Sequence, residues 1–220
     1  MARSYRDGVR AVLPLSVAVL GFGVAFGVLA TSIGMGNLAP IVMSATTFAG
    51  SAQFAAASVL ADGGAVAAAI AAGVLLNARY GPIGVTVAPW LQGGAWSRFW
   101  HAQLTVDESW ALAAEPDGRY EPRVLLAAGL GLYIAWVGGT TIGVLIGDVL
   151  PSPDTLGLDA AFPALFLALL APQLRSRRTA WVAAALGAAI ALALTPVAPP
   201  GVPIIAAGAA TLIGLRKEAS

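Results

Sequence analysis

"AVLPLSVAVLGFGVAFGVLATSI", Ala11 to Ile33, carries no charged side chain over its whole length. A helix needs about 20 apolar residues to cross a bilayer, and this stretch meets that length. It follows three arginines, Arg3, Arg6 and Arg10, so it could imitate a signal peptide. It is longer than the roughly 7–15 residues of a signal-peptide core, and no small-x-small cleavage pattern follows. The stretch therefore reads as a retained first membrane span.

The rest of the chain supports that reading. Of 220 residues, 58% are hydrophobic and 10% charged, with a mean hydropathy of +0.82. A soluble domain covers its surface with about 25% charged residues. Further candidate spans are Leu38–Ala61, Ala65–Leu91 and Val124–Gly147. Shorter ones are Asp159–Leu174, Ala180–Thr195 and Gly201–Leu215. No period-two alternation suggests a β-barrel. The expected fold is all-α: a polytopic membrane protein of roughly 6–8 transmembrane or re-entrant helices. At least one helix is expected to be broken, and residues 1–220 are expected to form a single membrane domain in the lipid bilayer.

Some functions are excluded. A net charge of +1 leaves no basic stripe for nucleic acid. With no cysteine there are no disulfides, thiolate metal sites or cysteine nucleophiles. A single histidine, His101, provides no metal cluster. Neither a Walker loop nor a GxSxG elbow occurs, so no enzymatic activity and no cofactor are predicted.

Basic residues in short loops mark the cytoplasmic side. Arg3, Arg6 and Arg10 put the N-terminus there, and Arg119 and Arg123 put the start of Val124–Gly147 there. Arg175, Arg177 and Arg178, then Arg216 and Lys217, do the same for the second half and the C-terminus. Yet three crossings would leave Gln92 outside. Either His101–Glu115 crosses or dips, or an earlier segment is re-entrant. Both solutions bring polar groups to membrane depth, where irregular backbone survives only inside protein or beside a wet cavity.

Three polar islands lie in or beside the oil. "FAGSAQF", Phe48–Phe54, holds Gly50, Ser51 and Gln53. Small residues there serve helix packing, or they let a helix break so that its free amides can hold a carboxylate. "LLNARYGP", Leu75–Pro82, holds Asn77 and Arg79. Arg79 either snorkels to an interface, pairs with an acid, or clamps a substrate carboxylate through its planar guanidinium. "TVDESWAL", Thr105–Leu112, holds Asp107 and Glu108. These acids either neutralise Arg79, bind an ammonium or carry a proton, or they belong to a solvated interfacial connector.

Together these islands and "GTTIGVLIGDVLPSPDTLGLDAAFPALFLALLAPQ" resemble the AzlC family of branched-chain amino acid permeases, in the family's order. The resemblance implies an exporter of branched-chain amino acids, often of methionine too, in the bacterial cytoplasmic membrane. It implies a separately encoded small subunit of the AzlD type. It maps the family's polar pattern onto Gly50, Ser51, Gln53, Asn77 and Arg79 as substrate-binding residues. Asp107 and Glu108 become proton-coupling or ion-pair residues. The position after the arginine, often histidine in the family, is Tyr80, and the threonine before the aspartate is replaced by Val106. The alternative function is a non-transporting scaffold or accessory subunit whose polar residues bind a partner.

Overall fold

Ser4 and Asp7 start the first helix. The Ser4 N–H and Oγ both donate to Asp7 Oδ2 at 2.7 Å, closing a capping box ahead of α1 (Tyr5–Ser32). The helix therefore begins in a polar turn that precedes the expected start at Ala11. The structure, a computed structural model, describes residues 3–147, 178–199 and 201–211, with residues 167, 170, 171 and 174 between them. The expected span Asp159–Leu174 lies outside the described residues except for three of its helical positions and Leu174, as do Arg175, Arg177, Arg216 and Lys217. The described regular structure is helical, and three helical stretches are long and apolar enough to cross a membrane: Tyr5–Ser32, Val66–Trp90 and Pro122–Gly147.

The chain divides into two compact units. The first comprises residues 1–50 and 77–150, and the second residues 51–76 and 151–220.

The first unit is organised around α1 and a long helix, Pro122–Gly147. Following chain order, its other helices are α2 (Leu38–Thr47), the start of α3 (Gly50–Ala61), α5 (Tyr80–Val87), α6 (Ala95–Gln103) and α7 (Asp107–Ala113). The long helix Pro122–Gly147 is α8. Helix α4 (Val66–Asn77) joins this unit only at its last residue.

α1 and α8 pack by backbone contact. A Cβ added at Gly23 would meet Trp136 O at 2.7 Å, and one added at Gly143 would meet the Gly27 Cα at 3.0 Å. Gly8 lies on Val124, Gly139 on Leu20 and Gly147 on Thr31. The partners advance together, so α1 and α8 run parallel. Small residues at such a seam let the van der Waals contact between helices replace the hydrophobic drive that lipid removes.

That parallel register puts the starts of α1 and α8 at one end of the unit. The end of α8 that starts at Pro122 lies beside the start of α1, and Arg3 ties the two regions together. Its Nε donates to Glu115 Oε1 at 2.6 Å, and its other nitrogens donate to the carbonyls of Leu112 and Ala114 at 2.9 Å. The guanidinium thus meets the unsatisfied carbonyls at the end of α7. Val87 and Leu91 pack with Ala113, Val124 and Leu125 at that same end. Leu91 therefore lies at the same end of this unit as the starts of α1 and α8.

From this packing we propose that His101–Glu115 dips into the membrane and does not cross it. α6 rises to Leu104, whose carbonyl fits against Gly129 in the body of α8, and α7 returns to Glu115. Ser109 stitches the tip. Its Oγ accepts from the Val106 N–H and donates to Leu104 O, both at 2.9 Å. Trp96, Phe99 and Trp100 form a contiguous, exposed aromatic group near the start of α6, as at a membrane interface. Because the sequence lacks cysteine, this topology is directly measurable. Single cysteines at Gln92 and Asp117 should react with an impermeant thiol reagent from one side, and a cysteine at Asn37 from the other. Gln92 and Asn37 reacting from the same side would contradict the dip.

In the second unit, α3 and α4 are joined by a turn closed by Gly63 at φ +76°, with its N–H on Leu60 O and that of Gly64 on Val59 O. Gly73 faces Ala52 across the pair. α9 (Arg178–Leu194) packs on α10 (Val202–Gly208), and Gly208 lies against Leu75.

Candidate functional site

The expected helix break in "FAGSAQF" exists, but it falls at Phe48 and Ala49, not at Gly50 and Ser51. Phe48 adopts the left-handed region, φ 44° and ψ 49°, where a non-glycine residue is costly. Packing holds it there: its ring is 6% exposed and meets the Tyr133 ring edge-on at 5.1 Å. Gly50 instead begins α3, and the Trp136 indole lies where a side chain at Gly50 would begin. Two of the α2 carbonyls left open by the break find side-chain donors. Tyr133 Oη donates to Ala45 O at 2.9 Å, and Gln103 Nε2 donates to Thr46 O at 3.0 Å. The tip of the dip and the end of α2 are thereby joined at the middle of α8.

The second island carries a milder interruption, with the Arg79 backbone still in the right-handed helical region at φ −60° and ψ −26°. Ala78 and Arg79 form a turn between α4 and α5. From this turn the Arg79 guanidinium reaches Asp107, with Nη2 to Oδ2 at 2.9 Å. It also sits over the Tyr80 ring, 5.2 Å from its centroid. Each side chain of the pair is about one-third exposed, so the pair is within reach of a ligand. Asp107 and Glu108 open the first turn of α7, where the helix dipole favours negative charge. Close by in sequence, Asn77 ends α4 with a buried Oδ1 that has no hydrogen-bond partner among the described residues. A buried carbonyl oxygen in that state is a ready acceptor for an ammonium or hydroxyl donor.

Beside the ion pair lies a cavity of about 520 Å³. Its walls are α5 and α6, the end of α2, and the tip of the dip. Tyr80, next to Arg79, and Val106, next to Asp107, line it. Ile83, Val87 and Leu91 give it an apolar flank, while Arg98 and Gln103 provide polar groups. The volume falls within the roughly 300–1,000 Å³ typical of small-molecule sites.

The structure thus brings Arg79 and Asp107 together and sets Glu108 and Asn77 next to them in the chain. Gly50 belongs to the same unit. Ser51 and Gln53 lie in the second unit, buried in α3 at 4% and 0% exposure. Sequence reasoning missed Gly84 and Arg98 on the cavity wall. Arg98 sits among aromatic residues and reads as an interfacial anchor. Gly84 reads as an ordinary packing glycine.

Comparison with known proteins gives a consistent picture. A sequence model of the family described as "AzlC protein" matches residues 14–150. An "Uncharacterized membrane protein" of Archaeoglobus fulgidus is 33% identical over 210 residues, covering 94% of this chain and 91% of that protein. The "Branched-chain amino acid transport protein AzlC" of Bacillus subtilis is 27% identical over 173 residues, covering 77% of this chain and 68% of that protein. The "Inner membrane protein YgaZ" of Escherichia coli is 27% identical over 200 residues, covering 86% and 80%. No solved structure matches the chain significantly.

Proposed function

The chain belongs to the AzlC family, and from that premise we propose that it exports branched-chain and other aliphatic amino acids, such as methionine, across the cytoplasmic membrane. One arrangement carries the reading: the Arg79–Asp107 pair, within reach of ligand, has chain neighbours, Tyr80 and Val106, that line a cavity with an apolar flank. The name of the Bacillus subtilis relative supports the substrate class.

In this mechanism the substrate carboxylate takes Arg79 from Asp107. A guanidinium suits the exchange, because it binds either carboxylate through the same planar fork. Asp107, released, turns to the substrate ammonium, and Asn77 Oδ1 adds an acceptor. Gly50 contributes the first amide of α3. Ser51 and Gln53, in the second unit, carry a separate proposal from the family's polar pattern, tested by Ser51→Ala and Gln53→Ala in the efflux assay below. Coupling to the proton gradient runs through Asp107 or Glu108, which takes a proton when it is not paired. The N- and C-termini are cytoplasmic, following the arginines. A small AzlD-type membrane subunit is the proposed partner.

Cells loaded with leucine- or isoleucine-containing dipeptides test this. Internal free amino acid should fall faster, and external amino acid rise faster, when the chain and its small partner are present. Unchanged efflux for every aliphatic amino acid would leave the scaffold reading standing instead.

A further inference from the structure

Gly84 sits within α5, an eight-residue helix, on the wall of the cavity. Glycine inside a helix is less favourable than alanine, because it gives up more backbone freedom. The usual reasons to accept that cost are absent here. Gly84 is not among the glycines with positive φ, and a Cβ added to it would meet nothing within 4 Å. This contrasts with Gly23, Gly27, Gly139 and Gly143, where backbone fills the space. Gly84 is exposed and lines the cavity, and no atom stands within 4 Å of where its side chain would begin.

Tyr80 and Val106, on the cavity wall, are the chain neighbours of the Arg79–Asp107 pair, which offers both charges that an amino acid's head group needs. Ile83, Val87 and Leu91 form a flank with no hydrogen-bonding side chain. α5 carries Gly84 directly after Ile83 on this wall.

We propose that this cavity is the side-chain pocket of the transport site and that Gly84 sets how large an aliphatic side chain it admits. The assignment rests on the export reading above. A zwitterion held at Arg79 and Asp107 extends its side chain along α5, and the missing side chain of Gly84 gives room for the last methyl groups. One methylene in a hydrophobic pocket discriminates by about 10–200-fold, so filling this space should be visible as selectivity.

The experiment compares Gly84→Leu, Gly84→Ala and the unsubstituted chain in cells loaded with valine-, leucine-, isoleucine- and methionine-containing dipeptides. Gly84→Leu should lower leucine, isoleucine and methionine efflux by about tenfold or more relative to valine efflux, with Gly84→Ala intermediate. Gly81→Leu is the control. Gly81 lies on the same helix with equally open surroundings but does not line the cavity, so its ratios should stay unchanged. A leucine-to-valine ratio that does not move in either Gly84 variant overturns the assignment while leaving the export reading intact. An unsubstituted chain that moves no aliphatic amino acid defeats the export reading itself, and the pocket with it. If Gly84→Leu does not accumulate, a cysteine readout replaces it. In this cysteine-free chain, excess leucine should slow maleimide labelling of Gly84→Cys several-fold and leave Gly81→Cys unaffected. Equal labelling with and without leucine overturns the assignment.

Discussion

A Gly143→Leu protein is expected to lose its native packing. In the α1–α8 seam a single Cβ at Gly143 would already press on the Val24 carbonyl and lie 3.0 Å from the Gly27 Cα. Backbone on both sides leaves nothing flexible to move. A leucine must therefore separate the two helices over a full turn, opening the seam where Gly27 now rests on Thr140 and Val144. Overpacking of a tight interior costs about 1–3 kcal/mol, more where backbone is the obstacle. At about 3 kcal/mol the melting temperature of a chain this size falls by roughly 6–12 °C. The damage extends beyond α1 and α8. The tip of the dip leans on Gly129, and the end of α2 hangs from Tyr133, so both walls of the cavity take their position from α8. Thermal unfolding of the purified protein in detergent measures this. Gly138→Leu and Gly21→Leu provide the contrast, since a Cβ at either position meets nothing within 4 Å. Those two should melt within a degree or so of the unsubstituted chain, as surface changes usually do. Equal melting of Gly143→Leu and Gly138→Leu would contradict the seam.

Much of this architecture is legible in the sequence, for reasons that differ by element. Hydropathy and length identify α1 and α8 because lipid makes simple demands on them. The start of α1 escapes that signal, since Ser4 and Asp7 build a polar turn that a hydropathy window averages away. Loop arginines require an odd passage between α1 and α8, and that requirement holds. Charge alone leaves open which segment dips. The choice depends on contacts between residues far apart in sequence, such as Arg3 with Glu115 and Leu104 with Gly129. The break in "FAGSAQF" is legible as a break, yet its place is not. Propensity points to the glycine, while the Tyr133 ring and the Trp136 indole together put the left-handed residue at Phe48 and leave Gly50 to start a helix. Arg79 and the acids stand out because charge in an apolar setting must be paired, and the structure supplies Asp107 as the partner. Gly84 gives no such signal. Its distinction from Gly81 is its place on the cavity wall, which only the folded chain defines.

Replacing Arg79 with alanine is expected to reduce efflux by at least about 100-fold while the protein still reaches the membrane. Two losses combine. The substrate carboxylate loses its fork of donors, and Asp107 loses its counter-charge. Removing one partner of an ion pair shielded from water costs about 3–5 kcal/mol, and each 1.4 kcal/mol is a factor of ten. The pair here is one-third exposed, which places the effect at the lower end of that range. Arg79→Lys should rescue only in part, because an ammonium keeps the charge but cannot match a carboxylate with two parallel donors. Asp107→Asn should instead leave Arg79 in place for the substrate carboxylate and remove the anion proposed to meet the substrate ammonium. Matched expression of all three variants is required, and membrane levels by immunoblot provide it.

Binding isolates the central claim from expression, coupling and direction of transport. Equilibrium binding of radiolabelled leucine to the purified chain with its small partner should be saturable, displaced by isoleucine, and weakened by at least about 100-fold in Arg79→Ala. Equal binding by Arg79→Ala and the unsubstituted chain would contradict the placement of the substrate at the Arg79–Asp107 pair.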